Sequence, residues 1–143
     1  MRSALVVANF GLVLWLAGTA AAPASATGED YELLTVHMDS ATVLKRSPAG
    51  RVLEFADVLG RRNRCSYGEG GLIKEIGYSN EKGDFTIRFL YTKLGMLTTV
   101  VLADHTAVAF RGGRMQPSKA RPSSAETYAA TLERWLAKKN SGA

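Results

Sequence analysis

Apolar and polar positions alternate most cleanly at residues 85–92, FTIRFLYT. Phe85, Ile87, Phe89 and Tyr91 fall on one side of an extended chain, and Thr86, Arg88 and Thr92 on the other. A period of two predicts a strand with one buried face. Residues 72–78, LIKEIGY, precede it across Asn80-Glu81-Lys82-Gly83-Asp84, a hairpin signal with a glycine for the left-handed position. Residues 96–103, MLTTVVLA, read as a more fully buried strand. Asp104-His105 turns the chain, and 106–111, TAVAFR, runs back. These runs predict an antiparallel meander.

The flanks are less regular. Residues 31–38, YELLTVHM, are rich in β-formers, and an extended run places Leu34, Val36 and Met38 on one face, so a strand is expected there. Residues 41–46, ATVLKR, form a second short strand, and Ser47-Pro48-Ala49-Gly50 is a turn signal. In 51–59, RVLEFADVL, Val52, Phe55, Val58 and Leu59 fit helical spacing, but the run is short, so helix and strand both stay open. Residues 60–71, GRRNRCSYGEGG, read as a loop, and 112–122, GGRMQPSKARP, as a linker. No repeat at a solenoid period is present.

The last element is a helix over 123–139. Ser123 caps it, with Glu126 as the reciprocal partner three residues on. Ala125, Tyr128, Ala129, Leu132, Trp135 and Leu136 recur at i, i+3, i+4 and i+7 and make one apolar stripe. Lys138 and Lys139 occupy the last turn, where they favour the negative end of the helix dipole. The stripe needs an apolar partner, and the sheet is the only large candidate. The expected fold is therefore α+β: a mostly antiparallel sheet, a meander, covered by a C-terminal amphipathic helix in a single small domain over 27–143.

The first 26 residues are expected to be an address. Arg2 precedes an apolar run from Ala4 to Ala17, and Ala24-Ser25-Ala26 supplies the small residues of an A-x-A cleavage site. That is signal-peptide anatomy. The run is short beside the roughly 20 residues that span a bilayer core. Cleavage after Ala26 and export to a periplasmic or extracellular compartment are expected. Of 18 basic and 13 acidic residues only Arg2 lies in this segment, so the remaining chain carries 17 against 13, or +4. An apolar content of 46% is ordinary for a folded domain.

Cysteine and histidine are scarce. The chain has 1 Cys and 2 His, which excludes an internal disulfide and leaves few soft metal ligands. His37 and His105 with Asp39 and Asp104 make no metal motif, so no metal is expected. Cys65 lies in Arg61-Arg62-Asn63-Arg64-Cys65, where guanidinium charges are expected to lower its pKa. A nucleophile also needs a base within reach, and neither histidine is near in sequence. Gly68-Glu69-Gly70-Gly71 precedes a strand and opens no helix, so nucleotide binding and any other cofactor are not expected.

Two basic clusters remain. Arg61, Arg62 and Arg64 share one loop with Cys65; Arg111, Arg114, Lys119 and Arg121 share the linker. Such patches concentrate anions. Expected export and the lack of interleaved aromatics argue against nucleic acid. An acidic protein face, anionic lipid or an acidic glycan suits them better.

Residues Leu34-Thr35-Val36, Asp39, Ala41 and Val43-Leu44 resemble the opening of the small N-terminal domain of tight-adherence pilus-assembly secretins. Gly95-Met96-Leu97-Thr98-Thr99-Val100-Val101-Leu102-Ala103-Asp104 resembles a later strand of that family, and Phe55-Ala56-Asp57-Val58 its Ala-Asp-Val step. The resemblance implies a small periplasmic α+β interaction domain without catalysis, and it assigns no functional residue.

The sequence thus points to an exported, non-enzymatic binding module, an accessory of envelope or secretion machinery whose partner is an envelope or secreted protein. Three alternatives stay open. One is an inhibitor or immunity-type protein presenting the 60–71 loop. Another is a small exported enzyme using Cys65 with a histidine. The third is a binder of anionic lipid.

Overall fold

The computed structural model describes residues 28–141, and the expected signal peptide lies outside the described residues. Helix α1 (Gly28–Val36) leads into one 3-10 turn at Met38–Ser40. Eight strands follow: β1 (Thr42–Arg46), β2 (Val52–Ala56), β3 (Arg62–Tyr67), β4 (Ile73–Asn80), β5 (Gly83–Tyr91), β6 (Leu97–Val101), β7 (Ala107–Arg111) and β8 (Arg114–Gln116). Helix α2 (Ser124–Asn140) comes last. The strands form one sheet in chain order, each antiparallel to the next, so the α+β meander with its C-terminal helix is the fold observed.

One turn builds most of this sheet. At 47–51, 57–61, 68–72, 92–96 and 102–106 the first N–H donates to the fifth carbonyl, and the fourth N–H donates to the first carbonyl. This geometry needs a left-handed fourth residue. Gly50, Gly60, Gly71, Gly95 and His105 supply it, with φ of 89°, 79°, 75°, 84° and 72°. A non-glycine there costs roughly 1–2 kcal/mol, so the His105 turn is the strained member of the series. Side chains at the first position reinforce three of the turns. Ser47 Oγ accepts from Arg51 N at 3.1 Å, Asp57 Oδ1 from Leu59 N at 3.0 Å, and Thr92 Oγ1 from Met96 N at 3.1 Å.

A recurring bulge explains the irregular hydrophobic spacing. The pairing skips Leu53 between Val52 and Glu54, Lys74 between Ile73 and Glu75, and Thr98 between Leu97 and Thr99. An extra residue puts positions three apart on one face. Val52 and Phe55 are therefore both buried in a strand, although their spacing suits a helix. The open choice at 51–59 resolves to strand and turn.

Three expectations need correction. Residues 31–38 are not a strand: they lie mainly in α1, where Tyr31 and Leu34 are buried while Val36 is 75% exposed. The spacing that mattered was Tyr31, Leu34 and Met38, a helical stripe. Residues 60–71 are not a loop throughout, because Arg62–Tyr67 is β3. Its alternation was hidden because two of the inward residues, Asn63 and Cys65, are small or polar. The 112–122 linker contains β8.

Both helices lie on one face. Tyr31 of α1 stacks on Tyr128 of α2 at 5.3 Å, and Trp135 packs on Phe55 at 4.9 Å. The capping box forms as expected: Glu126 N donates to Ser123 Oγ at 3.2 Å, and Ser123 N donates to Glu126 Oε1 at 2.9 Å. Glu126 also accepts from Ser118 N at 2.6 Å, fixing the segment that brings the chain back onto the sheet. These backbone bonds hold the Glu126 carboxyl below the usual carboxylate range. From this cap α2 runs to Asn140, whose side chain accepts from Val52 N at 2.8 Å and donates to the Tyr67 hydroxyl at 3.0 Å.

Candidate functional site

Covering one face leaves the other open: among the described residues no element packs on it. Cross-strand register fixes what it presents. One row runs Glu54, Arg64, Gly77, Thr86 across β2 to β5. The next runs Ser66, Glu75, Arg88, Val101, Ala107 across β3 to β7. A third runs Leu90, Thr99, Ala109, Gln116, and Arg111 lies opposite Arg114 at the last hairpin. Arg62, Arg64, Arg88, Arg111 and Arg114 are exposed there. Glu54, Glu75 and Asp84 are the acids on this face, so it is basic. Arg62 Nε lies 3.7 Å from Glu54, and at 68% side-chain exposure that pair is weak.

The two clusters read from the sequence therefore divide. Arg62 and Arg64 face outward on β3. Arg111 and Arg114 join them from the far side of the sheet. Lys119 and Arg121 are exposed in the segment before α2, off the sheet. Arg61 turns inward: its Nε donates to Asp57 Oδ2 at 2.9 Å, and its guanidinium lies 4.0 Å from the Tyr78 ring centroid. Its guanidinium is taken up by these contacts and does not share the exposed face of Arg62 and Arg64.

Cys65 does not share that face either. It is buried on the core face, and burial pushes its thiol up to about 12, opposite to the expected lowering. The neighbouring arginines alternate to the other side of the strand and do not reach it. A rise from 9.0 to about 12 cuts the thiolate fraction at neutral pH roughly a thousandfold. Folded protein should thus label with iodoacetamide at least about a hundredfold more slowly than protein in denaturant. Equal rates would mean that Cys65 is reachable. His37 sits at the start of the 3-10 turn and His105 in a hairpin turn. Among the described residues no three His, Cys, Asp or Glu are grouped to hold a metal ion. No described helix is long and apolar enough to cross a membrane.

The centre of the open face carries no side chain. Gly77 lies mid-strand in β4, and its φ is not in the left-handed range. A Cβ built there meets only the Phe85 carbonyl oxygen, at 3.8 Å. Glycine in a strand costs roughly 0.5–1 kcal/mol relative to alanine. The fold leaves room for a side chain here, so the sheet presents bare backbone at this point without a steric need for it. Arg64 and Thr86 flank it in register. Next to Thr86 a concavity of about 330 Å³ is lined by Asp84, Arg88, Val101, Ala103 and His105.

The aromatic side chains of the described residues lie on the helix-covered side, including Phe85, which stacks on buried Tyr78 at 5.5 Å. Arg88 was legible as the polar side of the 85–92 alternation. Gly77 carried no signal until its φ and surroundings were known.

No protein family, curated protein or solved structure matches this chain.

Proposed function

We propose that the protein is an exported, non-enzymatic binding module that docks an acidic face of an envelope or secreted protein on its open sheet face. The observation that carries this reading is the arginine-flanked bare backbone at Gly77 on an uncovered sheet. Arginine is favoured where carboxylates are recognised, because its planar fork pairs with both oxygens. A protein partner is preferred over a glycan or a single-stranded nucleic acid because the face offers no aromatic platform for stacking. An accessory of envelope or secretion machinery is the setting that suits the expected signal peptide and the secretin resemblance. The inhibitor reading loses its exposed loop, since 62–67 is a strand. The enzyme reading loses its activated thiol.

A photo-crosslinking residue at Thr86 should capture a defined protein from an envelope fraction, while one at Lys119 should not. Capture should weaken between roughly 50 and 500 mM salt. The Arg62→Glu, Arg64→Glu, Arg88→Glu triple variant should reduce it about tenfold or more. Gly77→Thr should fold with equal or higher thermal stability and still lose capture, which separates docking from folding. Unchanged capture by both variants would overturn the reading. Binding of the wild type to phosphatidylglycerol vesicles, lost in the triple variant, would transfer the face to lipid.

A further inference from the structure

The opposite side of the molecule holds a second feature, independent of the open face. Where α2 ends, helix and sheet do not close against each other. A groove of about 460 Å³ lies between the last turns of α2 and the hairpin ends of β4, β6 and the β7–β8 turn. That is the size range of small-ligand sites. Its walls are apolar, from Leu72, Ile73, Met96, Leu97 and Leu136. Leu72 and Met96 are 36% and 50% exposed. Left-handed glycines of the repeated turn, Gly71 and Gly95, together with Gly112 and Gly113, line the mouth and add no side chains to fill it.

One acid stands in this apolar surround. Glu133 of α2 lines the groove, as well as a neighbouring hollow beside Met38, Arg134 and Lys138, and is half-buried. Among the described residues it makes no hydrogen bond and no ion pair. Burial raises its carboxyl above the ordinary value, while Arg134 on the same helix acts in the opposite sense. The Tyr91 hydroxyl does not answer it, since it donates to the Ile73 carbonyl at 2.7 Å. Burial, with Glu133 nearby, pushes that phenol up to about 12, so Tyr91 stays neutral. Arg51 is committed elsewhere, to the Gly71 carbonyl and over the Tyr67 ring at 5.5 Å. A half-desolvated carboxylate that makes no hydrogen bond or ion pair is free to take a cation, and the walls around it an apolar chain.

We propose that this groove binds a small amphiphilic cation, an apolar body carrying one protonated amine, with the amine paired to Glu133. The apolar body lies along Leu72, Met96 and Leu136. The amine adds a charge-assisted hydrogen bond that neither an alcohol nor a carboxylate of the same length can make.

Three probes of equal chain length test it: octylamine, octanol and octanoate, each below its aggregation threshold. Binding is read by calorimetry and by shifts of the Met96, Leu97 and Leu136 methyl resonances. Octylamine should bind about tenfold more tightly than octanol, and octanoate more weakly than either. Glu133→Gln should bring octylamine down to the octanol affinity. Since Glu133 holds no partner, that variant should keep the native spectrum. Ala137→Trp, at an exposed helix position on the groove wall, should abolish binding of the amine and the alcohol. Equal affinity for amine and alcohol in the wild type would overturn the proposal. So would tighter binding of octanoate, which would assign the groove to Arg51, or shifts confined to other residues. None of these outcomes depends on the open face or its partner.

Discussion

Replacing Asp57 with alanine should lower the unfolding free energy by about 3–5 kcal/mol, the largest loss expected from any single polar side chain here. Asp57 is 8% exposed and opens the β2–β3 turn. Its Oδ1 accepts from Leu59 N and Arg61 N, and its Oδ2 accepts from Arg61 Nε at 2.9 Å and Asn63 Nδ2 at 3.0 Å. Removing the carboxylate strips the Arg61 guanidinium, itself only 11% exposed, of its counter-charge. Breaking one half of a buried pair is costly because the remaining charge stays desolvated. Asn63 Oδ1 already lacks a partner, so this region has little polar slack. Asp57→Asn keeps an acceptor for the two turn N–H groups and should cost less, about 1–3 kcal/mol. Urea titration at neutral pH checks both. Equal losses would mean that shape, not charge, sets the value; a loss under about 1 kcal/mol for alanine would show that Arg61 reaches water.

The second large effect belongs to Trp135. Trp135→Ala should cost about 3–5 kcal/mol, in a domain whose whole stability is on the order of 5–15 kcal/mol. Trp135 is 4% exposed and meets the Phe55 ring at 4.9 Å with planes tilted by 53°. This contact ties α2 to β2, and the bulge at Leu53 is what aims both Val52 and Phe55 at the helix. Deleting the indole removes apolar burial, opens a cavity and ends the aromatic pair. Trp135→Phe should lose markedly less. It keeps a ring against Phe55 and removes an indole N–H that is buried without an acceptor. Thermal melts followed by circular dichroism separate the cases. Similar melting temperatures for the two variants would mean that the Phe55 contact is not what anchors the helix.

The helix α2, its cap and its stripe were legible because they rest on local chemistry. Ser123 and Glu126 satisfy each other's neighbouring backbone three residues apart, and the stripe follows from 3.6 residues per turn. The strand at 85–92 was legible for the same kind of reason. The errors came from places where tertiary contacts outweigh local pattern. Leu34, Val36 and Met38 also alternate, so the α1 segment carries a strand pattern beside its helical one. Only the arrival of Tyr128 beside Tyr31 decides which period is buried. β3 looks like a loop in the sequence because its inward face holds Asn63 and Cys65, which carry little hydrophobic signal. Asn63 is placed there by the Asp57 network, not by its own preference for the interior.

The candidate surfaces divide the same way. The sequence by itself determined that the chain is basic, that its arginines cluster, and that one apolar helical stripe needs a sheet to cover. It could not say which arginines share a face, because face depends on strand register. A single skipped residue at Leu53, Lys74 or Thr98 inverts every side chain beyond it. Only the assembled sheet turned Arg61 inward and set Arg64 beside Gly77. Only the packing of α2 left Glu133 without a partner in an apolar groove, since a carboxylate's isolation is a property of what surrounds it in space.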